Sequence, residues 1–209
     1  PVEIENLARV IASTHTTSEK IYLPFDPLQA RKIFNDISGI RAFVKKWLGP
    51  SFANLISQST SWSNRFLKKH ARRIQQRIDE GFKRDVHGDL HSGNIFLYRH
   101  PILFDCIEFN ERYRQIDVLY EIAFLCMDLE RFQKKSLSNV LLATYTRRFP
   151  CIEVAEDKLI FNYFKCLRAN VRAKVHAMSA ALKQDAQEVK HQTAEIKKYL
   201  ALIKVYMKE

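Results

Sequence analysis

The chain has 209 residues, 46% of them apolar and 27% charged, with 5 Gly and 6 Pro. That composition excludes a disordered tail, a collagenous or low-complexity chain and a disulfide-knotted miniprotein. Its 34 Lys and Arg against 23 Asp and Glu leave a formal charge of +11, so nucleic acid, a membrane surface and a phosphorylated small molecule all enter as anionic partners to be weighed.

No apolar run approaches the roughly 20 residues of a bilayer span, and Pro1-Val2-Glu3 offers neither a basic n-region nor an apolar h-region. The chain therefore reads as soluble, with no membrane partner. It does not begin with Met, which reads as a piece of a longer protein. Cys106, Cys126, Cys151 and Cys166 are spaced too widely for a Cys-x-x-Cys metal or redox site, and each has apolar neighbours. Buried, inert thiols in a reducing, cytoplasmic compartment are the expectation.

In chain order, Ile4, Leu7, Ala8 and Ile11 recur at intervals of three and four, which predicts an amphipathic helix over 3–14 with His15 just beyond it. Asp26-Pro27 is a cap followed by a first-turn proline, opening a helix whose apolar face is Leu28, Ile33, Phe34 and Ile37. Gly39 and Gly49-Pro50 mark two stops. From 52 to 78 the apolar positions keep helical spacing, and Gly81 ends the run, so everything before residue 82 reads as helical.

The pattern changes at Asp85. Val86-His87, Ile95-Phe96-Leu97 and Ile102-Leu103-Phe104 read as short strands in a polar island over 85–117. Helices resume at 118–131, capped by Asp117, then at 136–148, and after Pro150 as two long C-terminal helices within 156–207. One domain is expected, with the helices as scaffold and the island as its chemical part.

Pairing 95 with 104, 96 with 103 and 97 with 102 leaves 98–101 as a four-residue hairpin loop. The next pair outward is Asn94 with Asp105, two hard oxygen donors suited to a magnesium ion. Asp89 lies five residues before Asn94 in a loop with Gly88 and Gly93. A carboxylate there could take the proton of an attacking hydroxyl while the metal neutralises a transferring phosphoryl group.

His87-x-Asp89-x-x-x-x-Asn94 followed by Asp105 resembles the catalytic loop and metal-binding Asp of the protein-kinase-like phosphotransferases, in their aminoglycoside and choline kinase branch. The stretches 104–110, 123–130 and 168–175 look like an uncharacterised bacterial group in which such a domain precedes a P-loop ATP-binding domain. The resemblance implies an α+β, mainly helical C-terminal lobe with a small hairpin at the active site and no N-terminal lobe. It implies Asp89 as general base, Asn94 and Asp105 as Mg2+ ligands, ATP as phosphoryl donor and a small-molecule hydroxyl as acceptor. Asp117 would be the buried carboxylate tying the following helix to the catalytic loop.

Three further residues stand on the cofactor side. His87 reads as a packing and hydrogen-bonding residue of the loop, His91 as one that satisfies loop backbone more often than it ligates, and Glu108 as a metal-proximal carboxylate or, equally, a solvated charge. The only glycines before Val86 are Gly39, Gly49 and Gly81, no strand-borne Lys is apparent there, and no G-x-x-x-x-G-K-[ST] run occurs anywhere. The missing N-terminal lobe and a C-terminal P-loop domain are therefore expected partners. Two other readings remain: a nucleotide-sensing domain coupled to a P-loop ATPase domain, and a basic nucleic-acid-binding module. For the basic run Arg65, Lys68, Lys69, Arg72, Arg73 and Arg77, a solvated face or a domain contact outweighs nucleic acid, because few aromatics interleave. Arg168 and Arg172 lie four apart on one helical face, as a pair gripping an anionic or carboxylate partner would, but an exposed basic face or internal pairing with acids such as Asp128 is the favoured reading.

Overall fold

The structure, a computed structural model, describes residues 2–208. It is mainly helical with four short strands: α1 (Val2–Thr17), α2 (Pro27–Asn35), α3 (Arg41–Leu48), α4 (Pro50–Asp79), β1 (Lys83–Asp85), β2 (Ile95–Phe96), β3 (Ile102–Leu103), β4 (Gln115–Asp117), α5 (Val118–Arg131), α6 (Lys135–Arg148), α7 (Ala155–Ala181) and α8 (Ala186–Tyr206). The described residues form two compact units, 2–25 with 72–165 and 26–71 with 166–208.

The first unit is built on α1, α5 and α6. The face of α1 foreseen from its periodicity, Ile4, Leu7, Ala8 and Ile11, is buried, in one core with Val118, Leu119 and Ile122 of α5 and Leu141 and Tyr145 of α6. Each fully buried Ile or Leu there contributes about 1.5–3 kcal/mol. α5 begins where its cap predicts, since the Asp117 carboxylate accepts from Leu119 N at 2.7 Å.

The first unit also carries both sheets. β1 pairs antiparallel with β4, Arg84 opposite Ile116. Its other edge is closed by residues 19–21, through Asp85 N to Glu19 O at 3.0 Å and Ile21 N to Lys83 O at 2.9 Å. Residues 18–26 are therefore not helical, contrary to expectation, and the strand is 83–85 rather than Val86-His87. The reason is Arg84. Its buried guanidinium donates to the carbonyls of His15, Thr16 and Ser18 at the end of α1, satisfying carbonyls that the helix leaves open.

The β2–β3 hairpin forms, one residue out of the anticipated register. Ile95 pairs with Leu103 and Phe96 with Ile102, so the loop is 97–101. Side-chain alternation decides this. Ile95 and Leu103 pack on the core while Phe96 and Ile102 stand outward at 47% and 49% exposure. The four-residue loop would have paired inward side chains with outward ones. On the outer face Phe96 stacks on Phe104 and Tyr98, with centroids 4.5 and 5.7 Å apart.

In the second unit Asp26 caps α2, accepting from Leu28 N and Gln29 N at 2.9 and 3.0 Å, with Pro27 in the first turn. Phe34 is buried against Trp62 of α4, and Asn170 of α7 donates to Phe34 O at 2.9 Å. α8 buries Ile196, Tyr199, Leu200 and Ile203. Gly49, with φ +88°, turns the chain between α3 and α4.

Candidate functional site

The loop 86–94 is held at several points. Gly88 has φ +85°, and a Cβ there would meet Tyr113 O at 2.7 Å, so only glycine fits. Its N–H is buried and donates to Glu121 of α5, 3.1 and 3.0 Å from the two carboxylate oxygens. One residue on, Asp89 N donates to His87 Nδ1 at 3.3 Å, while His87 Nε2 donates to Phe104 O at 2.7 Å. Both ring nitrogens of His87 are thus taken up by backbone, which fixes the tautomer and leaves neither for a ligand.

Asn94 is buried and its Nδ2 donates to Asp89 O at 3.1 Å and Asp89 Oδ2 at 3.3 Å. The amide therefore orients the half-buried Asp89 carboxylate, and its own Oδ1 has no hydrogen bond among the described residues. His91 Nδ1 accepts from Gly93 N at 3.0 Å, and its Nε2 lies 3.5 Å from Asp89 Oδ2. Ser92 donates to Asp128 through its N–H, at 3.0 Å, and through its hydroxyl. Asp128 is also bridged by Arg131 at 3.4 Å.

Asp105 is not Asn94's cross-strand partner. That place belongs to Phe104, whose N–H donates to Asn94 O at 3.1 Å. Asp105 comes next with φ +61°, left-handed backbone that ends strand alternation. Ile107 N then donates to His87 O at 3.1 Å. Asp105 is thereby bracketed by two backbone bonds to the loop that bears Asp89 and Asn94. Its carboxylate is exposed and makes no hydrogen bond or ion pair among the described residues. Glu108, also exposed, is likewise unpaired there. Cys106 is exposed, unlike the three other thiols, and its Sγ sits 3.4 Å from His87 O. Burial pushes Cys126 and Cys151 up to about 12 and Cys166 higher still.

Sequence reasoning missed the supports beneath this loop. Asp117 does not reach it. Its carboxylate is gripped by the fully buried Arg77, Nε to Oδ2 at 2.7 Å and Nη2 to Oδ1 at 2.9 Å, and Arg77 also donates to Cys151 O at 2.7 Å. Glu121 makes the connection to the loop instead. Asp157 completes the network, 3.0 Å from Arg77 and accepting two bonds from Arg73 at 2.8 and 3.0 Å. Burial pulls the Arg77 guanidinium down, but the Asp117 and Asp157 carboxylates more than reverse it. Arg73 and Arg77, read from sequence as part of an exposed basic face, are buried in this network.

Among the described residues no group of three or more His, Cys, Asp and Glu is arranged to hold a metal ion. Magnesium commonly takes only one or two protein oxygens and completes its shell with water and phosphate, so the Asn94 and Asp105 oxygens fit that habit as a donor set. A cavity of about 220 Å³ lined by Arg9, Ser13, Thr16 and Arg148, and one of about 520 Å³ lined by Leu142, Arg147, Ile152 and Lys158, lie elsewhere in the first unit. Among the described residues no helix is long and apolar enough to cross a membrane.

No protein-family model matches the chain, and no solved structure matches it. It is similar to uncharacterised proteins of Mycobacterium bovis and of two strains of Mycobacterium tuberculosis, each 39% identical over 103 residues. The matched stretch is 49% of this chain and 20% of each relative, so the chain spans only a minor part of these proteins' length.

Proposed function

We propose that this chain carries the catalytic loop of a kinase-like phosphotransferase, one that moves the γ-phosphoryl group of ATP to a hydroxyl of a small molecule. The observation that carries the reading is the Asn94 Nδ2 contact to Asp89 Oδ2 at 3.3 Å, in a loop whose backbone is bonded to the residues on either side of Asp105. Two carboxylates and one amide are thus carried by the loop 86–94 and by the chain segment hydrogen-bonded to it through Phe104 N and Ile107 N.

In this reading Asp89 accepts the proton of the acceptor hydroxyl. Its carboxylate is held by Asn94 and faced by His91, and it remains open enough to meet a substrate, at 38% side-chain exposure. Asn94 Oδ1 and the Asp105 carboxylate would hold Mg2+, with Glu108 close in sequence. Bound Mg2+ supplies neutralisation of charge on the transferring phosphoryl group. His87 keeps the loop in shape. The lobe that covers ATP, absent from this sequence, would come from elsewhere in a longer protein.

The test is phosphoryl transfer by the intact protein from MgATP to a panel of small-molecule alcohols, read as phosphomonoester formation. Asp89→Asn is expected to lower turnover by about 10²-fold or more while nucleotide binding persists, the range for loss of a general base. Undiminished turnover in Asp89→Asn would overturn the role. Magnesium-dependent ATP binding with no product for any acceptor would favour the nucleotide-sensing alternative.

A further inference from the structure

The charge of the chain is divided unevenly between its two units. The first contains 17 Lys and Arg against 17 Asp and Glu; the second contains 17 against 6, so the whole formal charge of +11 falls there. Within residues 26–71 the only acids are Asp26 and Asp36. Asp26 is occupied as the cap of α2 and Asp36 is paired with Lys174 at 2.9 Å.

Ser57, Ser61, Asn64 and Lys68 follow one another at i, i+4, i+7 and i+11 on α4, so they form a single stripe about 16 Å long. Two arginines from neighbouring helices are laid against it. Arg41 of α3 donates from Nε to Ser57 Oγ at 3.1 Å, and Arg31 of α2 donates from Nε to Asn64 Oδ1 at 3.3 Å. Asn35 Nδ2 also donates to Asn64 Oδ1, at 3.2 Å, which sets that amide's orientation.

In both cases a neutral oxygen holds the guanidinium by Nε alone. Among the described residues no carboxylate pairs with either guanidinium and no bond engages their Nη groups, while the Nε bond orients the fork. Arg31, Arg41, Lys68 and the adjacent Arg65 are all exposed. Oriented forks with free Nη donors suit phosphate oxygens. The two forks recur about 10 Å apart along the helix, with Lys68 about 6 Å further on.

We propose that this face of α2, α3 and α4 docks on the phosphate backbone of duplex DNA, independently of base sequence. The stripe between the cations is wholly polar, unlike the apolar wedge of a lipid-inserting face. It presents no stacked ring, as a single-strand site would. The exposed Trp47 on α3 has its own Lys46 ammonium over the ring, 5.5 Å from the centroid. The face therefore offers a row of charges to a regular row of phosphates. This inference stands apart from the phosphotransferase reading and uses none of its residues.

The test is fluorescence anisotropy of a labelled duplex of about twenty base pairs titrated with the intact protein across a range of salt. Three to four neutralised phosphates give a slope of log K against log salt of about −3 to −4. Arg31→Gln with Arg41→Gln is expected to flatten that slope by about 2 and weaken binding at least about tenfold at low salt. Arg31→Lys with Arg41→Lys should keep the slope while weakening binding. The control, Lys190→Gln with Lys204→Gln, removes the same charge from exposed positions of α8 and should flatten the slope less. An equal loss in the control would overturn the proposal, as would absence of DNA binding. Preferential binding to RNA duplex or to phosphatidylserine vesicles would overturn it equally.

Discussion

Glu121 reaches from the first turn of α5 to the backbone of Gly88, its two carboxylate oxygens 3.1 and 3.0 Å from that N–H. Both residues are buried, Glu121 completely. A helix is thus tied directly to the residue before Asp89. Removing the acceptor leaves a buried N–H unsatisfied, at about 1–3 kcal/mol. Glu121→Ala should destabilise by that amount in denaturant unfolding and accelerate hydrogen exchange at Gly88. Glu121→Gln, which keeps an acceptor oxygen, should lose less.

Arg77 is expected to be the most sensitive position in the polar core. Its loss strips Asp117 and Asp157 of their common partner while both are substantially buried. Breaking a buried pair from one side costs about 3–5 kcal/mol. Arg77→Met should show that loss, and Arg77→Met combined with Asp117→Asn and Asp157→Asn should recover part of it.

Two acid-sensitive groups have separable windows. Burial, then the charge of Arg84, lowers His15 from 6.5 to about 3, with Tyr145 Oη 2.7 Å from its Nδ1. The unfolded chain binds this proton first, so stability is complete above pH 6.5 and falls as pH drops towards 3. His15→Leu should flatten the stability profile between those values, after an offset for the stranded Tyr145 hydroxyl.

Asp157 acts lower down. Burial raises it, but the Arg73 hydrogen bond, the N–H groups of Glu153 and Val154 and the Arg77 charge hold it at about 2 against an ordinary 3.8. Its contribution is present above pH 3.8 and lost as pH falls towards 2. Asp157→Asn should remove that steep acid limb and leave the His15 window unchanged, as followed by thermal unfolding at stepped pH.

Asp105 occupies left-handed backbone at φ +61°, a region that costs an L-residue about 1–2 kcal/mol. Asp105→Gly should relieve that strain and raise stability by about 0.5 kcal/mol, net of the added chain entropy. In the proposed site the same change removes a metal ligand. A more stable protein that no longer binds magnesium nucleotide is the expected pairing.

Local signals were legible where cap and periodicity agreed. Asp117 and the apolar face after it mark α5 at 118–131, and Asp26-Pro27 marks α2. β1 was not legible, since Lys83-Arg84-Asp85 has no apolar alternation and Arg84 is buried through bonds to carbonyls some 70 residues earlier. The hairpin register is set by the inward-facing Ile95 and Leu103, whose alternation outweighs the preference for a four-residue loop. Around the site, the spacing of Asp89 and Asn94 was visible, whereas their supports were not. Glu121 looks like a polar intruder in an apolar helix, because its partner is a backbone N–H 33 residues upstream. Arg73 and Arg77 repeat with the exposed cations of α4, and only the distant Asp117 and Asp157 turn them inward.

The central claim is that Asn94 and Asp105 hold a metal–nucleotide complex beside Asp89. It is tested most directly by calorimetric titration of the intact protein with ATP, with magnesium and with magnesium chelated. Binding that requires magnesium in the wild type, and weakens at least about tenfold in Asp105→Ala and Asn94→Ala, is the predicted result. ATP binding that ignores the metal, or that survives both substitutions unchanged, would contradict it.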